Sequence, residues 1–188
     1  MSGYCAIFKK YDDFVKKVFL IFLAAALFPL DSYSKSYIES IGDNMQVLIP
    51  AYALGLSMAE EDWNGAIQLA QTLIASQLTV ESLKYIVREE RPNKSNNRSF
   101  PSGHTAGAFS GATFIHKRYG IRRAIIPYAM AGFVGYSRVR SKMHYAHDVA
   151  AGAVISIAFT WLLVGEYDGK LSIESDGTGA KLNFRTQF

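Results

Sequence analysis

"SRVRSKMHYAHD", Ser137 to Asp148, places three basic residues and two histidines in twelve positions. An apolar run lies on each side of it. Upstream, "RRAIIPYAMAGFVGY" reads as a helix with Pro127 in its first turns, where proline is tolerated. Downstream, "VAAGAVISIAFTWLLVGEY" reads as the last and most hydrophobic helix of the bundle, able to cross a membrane or to form the centre of a bundle. A charged stretch between two apolar helices is a helix-to-helix junction. The segment therefore predicts an all-α fold whose polar residues gather at helix ends.

The rest of the chain extends this pattern. Trp63 to Glu90 carries Leu69, Leu73, Leu78, Leu83 and Ile86 at roughly helical spacing. Gln68, Gln71, Ser76 and Gln77 interrupt it, which predicts an amphipathic helix packed in protein rather than one bathed in lipid. "SYIESIGDNMQVLIPAYALGLSMAEED" reads as a broken helical pair, with Gly42-Asp43-Asn44 as punctuation and a kink or turn at Pro50. "RPNKSNNRSFPSG" is a loop by composition, and "HTAGAFSGATFIHKRYG" a helix of small residues. The tail from residue 166 alternates around Asp176-Gly177 and predicts a small hairpin. The expected architecture is a bundle of five to six helices with a site at helix ends and a short C-terminal hairpin or tail.

At the N-terminus, "KKYDDFVKK" precedes the apolar run Val18 to Leu30 and then "DSYSKS". These are the parts of a secretory signal, or of a short membrane anchor that is never removed. The expected division is residues 1–34 as signal or anchor, 35–165 as the helical domain and 166–188 as the tail. A single cysteine, Cys5, excludes an internal disulfide and a cysteine-based metal site. The net charge of +4 suits an anionic substrate or a membrane surface. With no run of lysine and arginine and no zinc-finger spacing, no nucleic-acid partner is expected.

Two clusters carry chemistry. His144 and Asp148 are four apart and share one face if helical. A carboxylate there holds one ring nitrogen and leaves the other free to attack. Arg138 lies just upstream. In "FPSGHT", proline and glycine precede a helix whose N–H groups, with the Ser102 hydroxyl beside them, form an anion cradle, and His104 sits at its edge. "KYIVREERP" adds Lys84 and Arg91, about two helical turns apart. Two arginines, a lysine, helix N–H groups and two histidines make sense around a phosphoryl group. One histidine serves as nucleophile and the other as acid for the leaving oxygen.

"KYIVREERP", "PSGH" and "SRVRSKMHYAHD" together resemble the signature motifs of the type 2 phosphatidic-acid phosphatase superfamily, which also holds bacterial class A acid phosphatases and vanadium haloperoxidases. The pattern is Lys, six residues, Arg-Pro; then Pro-Ser-Gly-His; then Ser-Arg, five residues, His, three residues, Asp; every specified position is present in order. The resemblance implies that His144 attacks phosphorus and forms a phosphohistidine, that Asp148 orients it, and that His104 protonates the leaving alcohol and then activates water. It implies that Lys84, Arg91, Ser102, Gly103 and Arg138 hold the phosphoryl oxygens, with no metal and no cofactor. The implied substrate is a phosphomonoester or pyrophosphate, lipid phosphates being usual in the family. The implied place is a bacterial-type cell envelope, periplasmic or in the inner membrane with the site facing the periplasm.

Other readings stand beside this one. The chain is less apolar than a polytopic lipid phosphatase should be, so an exported soluble acid phosphatase is an alternative. A vanadate-dependent haloperoxidase or a non-catalytic phosphate-binding protein fits less well. His147 reads as a pocket-rim or solvent residue, and His116, Lys117 and Arg118 as an exposed helix end. Arg88, Arg140 and Lys142 read as solvated charges, and Arg98 as a loop residue able to reach substrate. Phe109, Phe114, Phe133 and Phe159 read as core.

Overall fold

A computed structural model describes residues 37–167, 171–175 and 180–184. The signal or anchor expected over residues 1–34, and Cys5 with it, lie outside the described residues. Among the described residues five helices follow in order: α1 Tyr37–Ala59, α2 Trp63–Val87, α3 Gly103–Tyr119, α4 Ile121–Arg140 and α5 Ala146–Leu163. Two short strands, β1 Leu171–Ser175 and β2 Ala180–Phe184, pair antiparallel from Leu171 opposite Phe184 to Ser175 opposite Ala180. The all-α bundle with a C-terminal hairpin is thus the fold of this chain.

The helix boundaries have local causes. Asp62 caps α2 by accepting from Gly65 N at 2.9 Å. Arg88 ends α2 in the left-handed region at φ 52°. Ser102 caps α3 through Thr105 N. Gly120 at φ 90° separates α3 from α4, a conformation that only glycine adopts without strain.

Helix α3 is the centre of the bundle and packs against each of the other four helices. From Gly103 to Ile115 almost every residue is buried, and most are Gly, Ala, Ser or Thr. Small side chains let the neighbours close in. A Cβ on Gly111 would stand 2.8 Å from the Pro50 nitrogen, so α1 crosses α3 there, backbone on backbone. One apolar cluster joins Ile41, Met45 and Ile49 of α1 to Ala108, Ala112, Ala131 and Val134. A second joins Ala53, Leu56, Leu69, Phe114, Ile115, Ala124 and Val164.

Three expectations change. Helix α1 runs unbroken through Gly42-Asp43-Asn44 and through Pro50. Gly42 is there because a Cβ would fall 2.0 Å from Ser137 Oγ of α4; it marks a close approach, not a turn. Second, of the two readings of the last helix, the centre of the bundle is not its place: α5 is peripheral. Its buried residues are Asp148, Gly152, Ser156 and Thr160, one polar or small stripe at four-residue spacing, while Val154, Trp161 and Leu162 are exposed. Third, α2 is amphipathic in the opposite sense. It buries Thr72 and Ser76 with Leu69 and Val80, and exposes Ile67, Ile74, Leu78 and Ile86. Ser76 meets Ser110 of α3 inside. Interior hydroxyls under an apolar exterior are the pattern of helices packed in lipid, where small and polar residues make the helix contacts. Among the described residues one helix, α5, is long and apolar enough to cross a bilayer by itself.

At the bundle end formed by the start of α2 and the end of α3, Arg118 is also not the exposed residue expected. It binds Asp62 in a forked pair, with Nε and Nη2 each 2.7 Å from a carboxylate oxygen. Its Nη1 donates to the Gly165 and Glu166 carbonyls at 2.9 Å. The Tyr119 hydroxyl adds a contact to Asp62 at 2.9 Å. Burial works against the Asp62 charge, but Arg118, the Gly65 N–H and Tyr119 outweigh it and hold the carboxyl below its usual range. This clamp joins three helix ends, and a cavity of about 600 Å³ lies against it.

Candidate active site

The opposite end of the bundle collects the residues of the three motifs. Arg138 lies in the last turn of α4, with 1% of its side chain exposed. Its carbonyl accepts from the amides of Met143 and His144 at 3.0 and 3.3 Å, which curls the junction back beneath the helix end. His144 precedes α5 and is buried, 2% exposed. Its proximity to Asp148 therefore comes from the turn entering α5, not from a shared helical face as the spacing suggested.

His144 Nδ1 stands 3.4 Å from Asp148 Oδ2, an ion-pair distance rather than a well-formed hydrogen bond, and Nδ1 has no other bond. Asp148 itself is firmly held. Its Oδ2 accepts from the Tyr145 amide at 2.9 Å and from the Ser99 hydroxyl at 2.5 Å. The first bond also satisfies an orphan N–H at the start of α5.

Burial first, then the charges of Arg91 and Lys84, push the His144 pKa down to about 4, although Asp148 pulls the other way. His144 is thus a neutral imidazole with Nδ1 turned to Asp148 and Nε2 left over. Arg91 is itself under pressure: burial and the nearby charges of Arg138 and Arg98 lower its pKa. Its Nε is buried without a partner. Cations that repel one another around a buried neutral histidine gain most from an anion placed among them.

The residues expected to form an anion cradle lie at the start of α3. The Ser102 hydroxyl accepts from Thr105 Oγ1 at 3.0 Å and from Thr105 N at 3.4 Å, so its own hydrogen is left to donate. The Ser102 amide donates to the Asp148 carbonyl at 3.0 Å, tying the two motifs together. A Cβ on Gly152 would lie 2.4 Å from the Ser102 carbonyl, so only glycine lets α5 come this near. Gly103 is buried, and a Cβ on it would lie 3.4 Å from Lys84 Nζ. Lys84 therefore reaches the helix start although it comes from α2. Its Nζ is also 2.9 Å from Glu81, which pairs with Arg98 as well.

Lys84 and Arg91 are not two turns of one helix. Helix α2 ends at Val87, and a loop carries Arg91 back, its amide bonded to the Asn96 carbonyl at 2.9 Å. His104, about one-third exposed, stands at the rim with Nε2 3.1 Å from Asp43 Oδ1. His147 lies outside the cradle, exposed, with Nε2 3.0 Å from Glu89 and 3.1 Å from Asp148 Oδ1. Arg140 and Lys142 are exposed, as expected.

Sequence reading missed Ser99 and Asp43. Ser99 sits in a loop of many polar residues, with nothing local to single it out. Asp43 belongs to a stretch read as a break, and its partner Arg138 lies 95 residues away.

The chain is similar to proteins of a known family. The chain is 32% identical to a lipid A 4'-phosphatase of Helicobacter pylori over 83% of its length and 87% of that protein's. It is 35% identical to a lipid A 1-phosphatase of Porphyromonas gingivalis over 66% of its length, but only 29% of that longer protein's. The crystal structure of Aquifex aeolicus LpxE superposes with a TM-score of 0.56 at 25% identity, covering 68% of this chain and 86% of that one. A transmembrane PAP2 type phosphatidylglycerolphosphate phosphatase from Bacillus subtilis superposes at 0.53 and 20% identity, over 79% of this chain and 93% of that one, a likeness of fold. Residues 65–169, more than half of the chain and all three motifs, match the PAP2 superfamily, and the chain belongs to that superfamily as one of its phosphatases.

Proposed function

We propose that this chain hydrolyses a lipid phosphate in a bacterial-type cell envelope, without a metal ion, through a phosphohistidine on His144. The observation that carries the reading is the buried His144 beside Asp148, with Lys84 and Arg91 near enough for their charges to disfavour its protonation. His144 Nε2 forms a bond to phosphorus as the bond to the leaving oxygen breaks. That oxygen takes a proton from His104. Water then gives a proton to His104 and attacks phosphorus, the P–N bond breaks, and inorganic phosphate leaves with His144 restored. Asp148 holds Nδ1 throughout. Lys84, Arg91, Arg138, the Ser102 hydroxyl and the N–H groups at Gly103 take the charge of the equatorial oxygens, the term that dominates phosphoryl transfer.

The lipid substrate is supported by the apolar exterior of α2 and α5 and by two relatives named for lipid A. A soluble exported phosphatase would have to keep that exterior in water. The orientation we propose sets the site on the periplasmic side.

Phosphate release is measured with a chelator present, on a lipid phosphate, a polyprenyl pyrophosphate and a soluble phosphomonoester, with His144→Ala as control. Chelator-resistant release, greatest on a lipid substrate and lost in the variant, is expected, along with inhibition by vanadate. Release that needs an added metal, or survives in His144→Ala, overturns the mechanism. A clear preference for the soluble ester overturns the lipid assignment.

A further inference from the structure

Helix α1 lies outside all three motifs, yet its Asp43 stands between two residues of the site. Asp43 Oδ1 is 2.6 Å from Nη1 of Arg138 and 3.1 Å from Nε2 of His104. Nη2 of Arg138 donates to the carbonyl of Glu39, one turn earlier on α1, at 2.7 Å. Nε of Arg138 donates to Ser137 Oγ at 3.1 Å. The guanidinium is buried, so it cannot swing into solvent, and α1 sets much of its orientation.

A second observation fixes α1 at this point. A Cβ on Gly42 would lie 2.0 Å from Ser137 Oγ and 2.7 Å from Arg138 Nη2. Helices α1 and α4 touch here at the closest range glycine allows, so Asp43 cannot slide along the pair.

We propose that Asp43 is a positioning residue that locks the leaving-group acid His104 to the phosphate-holding Arg138; this rests on the roles given to those two residues above. One carboxylate oxygen bonded to both sets the distance between the clamp on an equatorial oxygen and the proton for the leaving oxygen. With Nε2 bonded to Asp43, Nδ1 is the nitrogen that delivers that proton and later takes one from water. An in-line reaction depends on this spacing, and a misplacement of about 1 Å costs about 100-fold.

The test uses the full-length protein and two phosphomonoesters with the same acyl chain, one with a nitrophenyl leaving group and one with an alkyl leaving group. The nitrophenolate departs without help from an acid; the alkoxide does not. The readout is the ratio of kcat/KM, alkyl over nitrophenyl, which is independent of the amount of folded enzyme. Asp43→Asn is expected to lower this ratio about 10-fold or more, and His104→Ala to lower it further. Asp43→Asn on the His104→Ala background is expected to add no further skew. Equal losses on both esters, or an unchanged ratio in Asp43→Asn while His104→Ala is skewed, overturn the role of Asp43 alone. An unchanged ratio in His104→Ala removes the acid assignment, and the Asp43 proposal falls with it.

Discussion

His144 brings opposing forces to one imidazole. Burial and the Arg91 and Lys84 charges disfavour its protonation, and Asp148 favours it; the result is a pKa of about 4. If His144 is the nucleophile, its free base persists well below pH 6.5. The acidic limb of kcat/KM is then expected near pH 4, and Arg91→Gln should move it upward by removing a repelling charge. A limb near 6.5 in both proteins speaks against His144. Stability follows the same sign. The unfolded state binds the proton more readily, so this contribution is present above about pH 6.5 and is lost as pH falls toward 4. Ser99 acts one bond further out. Ser99→Ala removes a buried hydrogen bond to the Asp148 carboxylate, worth about 1.5–3 kcal/mol. A fall in kcat/KM of about 10-fold or more is expected from steady-state kinetics, and an unchanged value would show that the Tyr145 amide holds Asp148 without help.

At the scale of elements, the site depends on how closely α5 meets the start of α3. Gly152 makes that approach possible, and Gly152→Ala puts a methyl group against the Ser102 carbonyl. Overpacking of this kind costs about 1–3 kcal/mol. Because the strain falls on the cradle, activity should drop more than thermal stability; the two are compared in the same detergent. Equal retention of both would mean that the helices part without disturbing Ser102. The same closeness explains why the motif spacing misled in detail. His144–Asp148 and Lys84–Arg91 look like helical pairs, but each straddles a helix boundary. The turn at Arg138 and the loop after Val87 bring them together instead.

At the scale of the whole molecule, the two bundle ends are built for different tasks. The far end is closed by the Asp62–Arg118 pair, fully partnered and mostly buried. Removing one partner strands a charge, so Arg118→Ala should destabilise the protein by about 3–5 kcal/mol. The thermal unfolding temperature should fall while the kcat/KM of the remaining folded protein is kept, since the site is at the other end. The other end, where the three motifs meet, keeps Arg91 Nε buried without a partner and the Ser102 hydroxyl hydrogen free to donate. If that end faces the periplasm, Asn96→Cys in a Cys5→Ser background should react with a membrane-impermeant maleimide in intact cells, and a cysteine at Asn64 should not. The reverse labelling would invert the orientation.

The all-α class, and the helix ends where the residues of the three motifs gather, were legible in the sequence. Those features follow from local periodicity and from the order and spacing of the three motifs. What the sequence left undetermined concerns contacts between distant segments. Whether Thr72 and Ser76 or Ile74 and Leu78 face inward depends on what surrounds the bundle, and periodicity reports a stripe without its direction. Gly42 looks like a break until Ser137 is placed against it, because a glycine needed for close approach and one needed for a turn are the same residue in one dimension. Arg118 and Asp43 found their partners 56 and 95 residues away. Sequence therefore determined the fold class and the chemistry available. Tertiary structure decided which face is interior and which carboxylates hold the site, since both depend on free energies of contact that no single segment contains.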